Sequence, residues 1–166
     1  MSREPEGPAH RFAQLAERYC AWAEHAPASN EQEAVTAREL LAELYSLALT
    51  LPDGMADPEV DAPRIDDAVW KRMYERFGTL PIRYYAVVAD PSVVPPEEAV
   101  VGDASDDLAD IYRDLRAGLD LYRAGLLPNA VWEWRFHFEV HWGAHALGCL
   151  VALHAYNPTV ASRGAA

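Results

Sequence analysis

Apolar side chains recur at three- and four-residue intervals along most of this chain, the spacing that puts them on one face of an α-helix. Phe12, Leu15, Ala16, Tyr19, Trp22 and Ala23 share a face, predicting a first helix over 9–25 that Pro27 ends. Ser29 or Asn30 can cap a second, with Glu33 in a capping-box position three residues after Asn30. Its stripe runs Val35, Leu40, Leu41, Leu44, Tyr45, Leu47, Ala48 and Leu51, and Pro52-Asp53-Gly54 stops it. Residues 52–64 carry three prolines and predict a mobile loop. Asp66 starts a third helix, with Val69, Trp70, Met73, Tyr74 and Phe77 apolar, and Gly78 ends it. Residues 82–89 read as a short helix, although their tyrosines and valines also suit a strand, and 90–102 reads as a linker.

A further helix is expected over 103–124, with Leu108, Ile111, Tyr112, Leu115, Leu119 and Tyr122 in line before Gly125. Pro128 opens the last one, which reaches about Tyr156. At 100° per residue that helix has two apolar faces. Phe136, Val140, Leu147 and Val151 form one; Trp134, Phe138, His141, His145, Cys149 and Ala152 form the other. A helix apolar nearly all round is expected to be central. The fold class predicted is therefore all-α: a single-domain helical bundle of five to seven helices with a central C-terminal helix. The domain spans 9–157, between a disordered tail at 1–8 and a flexible one at 158–166.

Composition narrows the function. The chain has 166 residues, 51% of them hydrophobic, which suits one globular domain. Its net charge is -12, with one lysine, so phosphate neutralisation is disfavoured: no nucleic acid and no anionic membrane is expected as partner. The N-terminus has no apolar signal region, and a soluble, cytoplasmic location follows as the expectation. The Ala, Arg, Asp and Glu bias suggests a GC-rich bacterial genome. Cys20 and Cys149 sit inside helical patterns and read as buried thiols.

The chemistry concentrates in the last two helices. His137, His141 and His145 recur every four residues, and two histidines at that spacing can reach one metal ion. Asp107, Asp110 and Asp114 on the preceding helix could add carboxylates. Without a metal, a histidine beside a carboxylate could act as a general base. The same spacing also arises on any helix face, so His141 and His145 equally read as core histidines. The acids near residue 103 equally read as helix caps. Arg135 can pair with Glu139, and Glu133 with His137, at four-residue spacing.

The segments DDLADIYRDL (106–115), LYRAG (121–125) and WEWRFHFEVHWG (132–143) carry a resemblance to an uncharacterised bacterial family, domain of unknown function 5063. The ending ALH (152–154) fits, and the N-terminal half is similar more loosely, through Phe12 to Cys20 and Leu44 to Pro52. The resemblance implies an all-helical fold and no assigned activity. The pattern it implies rests on Asp107, Asp110, Tyr112, Trp132, Glu133, Phe138, Glu139, Trp142 and Gly143, without requiring histidine at 141 or 145.

The leading expectation is a helical protein without catalysis that binds a protein partner or forms a homo-oligomer, using Glu133, Trp134, Arg135 and Trp142 as binding residues. No cofactor is expected. An alternative is a metal-dependent or acid-base hydrolase. Its candidate catalytic residues are Asp107, Asp110, Glu139, His141 and His145, and its metal ligands, if one binds, are His141, His145 and Asp110. A small-molecule sensor is the other alternative.

Overall fold

The computed structural model describes residues 7–156. Helix α1 (Pro8–Glu24), α2 (Asn30–Ala48) and α3 (Asp67–Phe77) precede a two-stranded antiparallel ribbon, β1 (Tyr84–Val87) and β2 (Val100–Asp103). Helix α4 (Ala104–Arg123) follows. Then α5 (Leu127–His137), a five-residue π-helical turn (Phe138–Trp142) and α6 (Gly143–Ala155) run on without a break. The expected tails fall outside the described residues except at Gly7 and Pro8, where Gly7 is the N-cap and Pro8 begins α1.

The capping chemistry matches the helix starts. The Ser29 hydroxyl accepts from the Gln32 amide at 3.3 Å, and the Asp66 carboxylate from the Val69 amide at 2.7 Å. Glu33 goes beyond capping. It accepts from the Ala28 amide at 2.9 Å, the Trp22 indole at 3.0 Å and Arg76 at 2.5 Å, all in a nearly closed environment.

Residues 84–87 are a strand, where a helix was expected, and 100–103 pairs with them inside the segment read as a linker. Four residues are too few to show a period, and Tyr84 to Val87 are β-branched or aromatic apart from one alanine. The ribbon is the only departure from an all-helical plan among the described residues, and the fold is a mostly-α single domain.

The position of the last helix also differs. Helix α4 is the central one, packing against α1, α3, α5 and α6. One face of the last helix is core: Trp134 and Trp142 are fully buried, Phe12 lies 5.0 Å from the Trp134 ring, and both indoles donate to main-chain carbonyls. The other face is open. Phe136, Val140, Leu147 and Val151 are 42, 62, 45 and 69% exposed. Apolar residues on both faces did not mean burial on both.

The loop over 52–64 is held against α5 at three points. Asn129 donates to the Asp57 carbonyl at 3.1 Å, Arg135 pairs with Asp53 at 3.0 Å, and Arg64 donates to Glu133.

Candidate metal centre

Helix α4 presents Asp107, Asp110 and Asp114 toward the last helix, at intervals of three and four residues. His137, His141 and His145 face them across the helix pair. In ideal α-helix, eight residues drift ~80° past two full turns. The π-helical turn between His137 and Gly143 rotates less per residue, which reduces that drift and keeps three imidazoles along one contact line.

Each histidine meets α4 differently. His141 Nδ1 lies 2.6 Å from Asp114 Oδ2, and His145 Nδ1 lies 2.5 Å from Asp107 Oδ1. Ionised carboxylates only accept, so a proton on each Nδ1 satisfies both contacts, and in that neutral tautomer each Nε2 carries a lone pair. Those two Nε2 atoms point at each other, 3.3 Å apart. Asp110 Oδ2 completes a triangle, 3.4 Å from His141 Nε2 and 3.9 Å from His145 Nε2. Among the described residues, no side chain other than these imidazoles donates a hydrogen bond into the triangle. The other oxygen of Asp110 is occupied: Trp70 Nε1 donates to Oδ1 at 2.8 Å and Arg113 at 3.1 Å.

In the neutral tautomer three acceptors face one another, an arrangement that a cation between them, or a shared proton, relieves. The surroundings are short of positive charge too. Among the described residues, Asp107, Asp110, Asp114 and Glu133 gather here with Arg64 and Arg113 as their guanidinium partners, and Asp106 adds a further carboxylate near His145. The Asp107 carboxylate on Nδ1 raises the His145 pKa above the ordinary imidazole value, against burial, which lowers it. The spacing suits a metal as well. Ligand atoms ~2.0–2.2 Å from a tetrahedral centre stand ~3.3–3.6 Å apart, close to the sides of this triangle.

A second grouping, Asp114, His137 and His141, lies one turn along. It fits an ion less well, because Asp114 Oδ2 and His141 Nδ1 at 2.6 Å are at proton-sharing distance. His137 instead bonds Glu133 at 3.1 Å through Nε2, and Arg64 reaches both. Burial raises the Glu133 pKa, but His137 and Arg64 outweigh it and the net shift is downward. A cavity of about 430 Å3 opens here, lined by Arg64, Arg113, Asp114, His137, Val140 and His141.

The structure therefore brings together Asp107, Asp110, His141 and His145 from the sequence candidates, with Glu133 at the far end. Glu139 is not with them: it is 57% exposed on the other side, pairs with Arg135 at 3.3 Å, and borders a hollow with Asp53, Trp132 and Phe136. Trp134 and Trp142 are fully buried core residues. Sequence reasoning missed Trp70 and Tyr85, the second of which donates to Asp107 Oδ2. Neither shares a helix or a period with the cluster, so spacing carried no signal for them. Cys20 and Cys149 are buried thiols, pushed up in pKa by burial, Cys20 to about 12.

These features define a mostly helical single domain with a carboxylate–histidine cluster between two of its helices. The model of a domain of unknown function, DUF5063, matches residues 4–157, and the chain belongs to that family. A crystal structure of protein BF1032 from Bacteroides fragilis has the same fold, with a TM-score of 0.73 at 19% identity over 92% of this chain and 97% of that one. No curated protein matches the chain. No helix of the described residues is long and apolar enough to cross a membrane.

Proposed function

We propose that this protein binds one first-row divalent transition-metal ion through His141 Nε2, His145 Nε2 and Asp110 Oδ2 and uses it for hydrolysis. The observation that carries the reading is the triangle of two imidazole Nε2 atoms and one carboxylate oxygen, all within 3.9 Å of one another. Two imidazoles and one carboxylate suit zinc, iron, cobalt, nickel or manganese rather than calcium or magnesium. Each ligand has an outer partner that fixes it: Asp107 for His145, Asp114 for His141, and Trp70 with Arg113 for Asp110. A dication offsets the negative charge that these carboxylates gather. Three protein ligands would leave a position for water, which such an ion would acidify to a pKa of ~7, and His141 is the one of the three that lines the neighbouring cavity. Calorimetric titration of zinc or nickel into protein stripped with chelator tests the binding. One ion per chain is expected, with loss of binding in His141→Ala and His145→Ala. Equal affinity in those variants, or no heat in the parent protein, overturns the reading.

A second reading, self-association, is favoured by the open face of the last helix. Its exposed apolar residues are placed symmetrically about the Gly143-Ala144 step: Phe136 with Val151, and Val140 with Leu147. A two-fold contact needs that arrangement, since each residue must meet its counterpart on an antiparallel second copy, and the small exposed Ala144 at the crossing lets the helices approach. Light scattering during gel filtration is expected to show a dimer that Val140→Asp converts to monomer. A monomer at all concentrations up to ~100 μM, the upper range of weak specific association, refutes it.

A further inference from the structure

We infer that Tyr85, on the ribbon, is a positioning residue for the metal ligand His145, acting through Asp107, and that Gly102 and Gly148 exist to admit its ring. This rests on the metal reading for its purpose but on separate contacts for its geometry.

Asp107 is 6% exposed and divides its two oxygens. Oδ1 holds His145 Nδ1 at 2.5 Å, while Oδ2 accepts from the Tyr85 hydroxyl and, at 3.4 Å, from the Cys149 thiol. The carboxylate alone can rotate about its bond to Cβ. With Oδ2 tied to two donors it cannot, and the imidazole it holds is fixed with it. The tyrosine comes from β1, a different element from either helix of the centre, and it arrives through a gap. Its backbone pairs with Gly102 on β2, where a Cβ would come within 2.7 Å of the Tyr85 ring. Its hydroxyl lies over Gly148 in α6, where a Cβ would come within 2.4 Å of it. Gly148 sits mid-helix, where alanine is the better helix former. The ring needs the space that a side chain would fill.

Because Tyr85 also helps dock the ribbon, loss of stability alone would say nothing about positioning. Gly148→Ala separates the two. It gains helix propensity, removes no polar group, and pushes the hydroxyl off Asp107. Zinc is titrated calorimetrically into the full chain and into Tyr85→Phe, Gly148→Ala and, as a control, Tyr84→Phe, whose ring is 60% exposed. Tyr85→Phe and Gly148→Ala are each expected to weaken zinc binding by roughly 10–100-fold, the usual effect of losing an outer partner, while Tyr84→Phe leaves it unchanged. Without metal, the His145 Nδ1–H proton is followed by NMR in histidine-labelled protein. Faster solvent exchange in the two variants than in the parent is expected. Unchanged zinc affinity in both variants overturns the inference and leaves the metal reading standing. If the parent takes up no zinc, the metal reading falls, and the His145 proton alone decides: unchanged exchange overturns the positioning role as well.

Discussion

Changing Asp114 to asparagine separates an outer partner from a ligand. Asp114 is 2% exposed, and its carboxylate meets His141 Nδ1 at 2.6 Å. Asparagine keeps an oxygen to accept that proton but loses the charge. A hydrogen bond to a charged group contributes about 1.5–3 kcal/mol and a neutral one about 0.5–1.5 kcal/mol, so the difference is about 1–1.5 kcal/mol. The histidine becomes less basic and less firmly oriented by that amount, about tenfold in metal affinity. Zinc titration of Asp114→Asn is therefore expected to show one site per chain, about tenfold weaker than in the parent. Without metal, the retained hydrogen bond limits the fall in Tm to about 2–6 °C for a domain of this size. Asp110→Asn, which alters a ligand, is expected to cost much more affinity. Two results refute the reasoning: an unchanged dissociation constant, or complete loss of binding in Asp114→Asn. The latter would make Asp114 itself a ligand, together with His137 and His141.

Glu33→Ala is expected to destabilise the protein by about 3–5 kcal/mol, because it leaves the nearly buried Arg76 guanidinium uncompensated along with the Trp22 and Ala28 donors. Calorimetry should then show Tm lower by roughly 6–20 °C, and a change under about 1 kcal/mol would contradict the burial argument. Glu133, held below the usual carboxylate range, gives stability that is present above its unfolded pKa and lost as pH falls through the folded value. Thermal melts below pH 5 should show that loss shrinking in Glu133→Gln, and parallel curves for the two proteins would count against it.

The helix pattern was largely legible. Phe12, Leu15, Ala16, Tyr19 and Ala23 were placed together by spacing and are together in the core. The division of the last helix into two faces was also readable, but which face met protein was not. That depends on how the helix is turned against α4, which no local period records. The same rotation decides the site. His141 and His145 could be assigned to one face with Phe138 and Cys149, yet their partners Asp107 and Asp114 lie 38 and 27 residues earlier. Glu139 looked equivalent to its neighbours and is turned outward in the π-helical turn. Residues 82–89 left helix and strand open and 100–103 passed as linker, because each strand is four residues long and their pairing spans a proline-rich loop. Tyr85 was visible only as one of several tyrosines, since its role arises from a contact between the ribbon and α6.

The most direct test of the account is to locate the ion itself. Crystals of zinc-loaded protein measured at the zinc absorption edge should show a single anomalous peak about 2.0–2.2 Å from His141 Nε2, His145 Nε2 and Asp110 Oδ2. A peak between Asp114 and His137, or none near the triangle under saturating zinc, would contradict it.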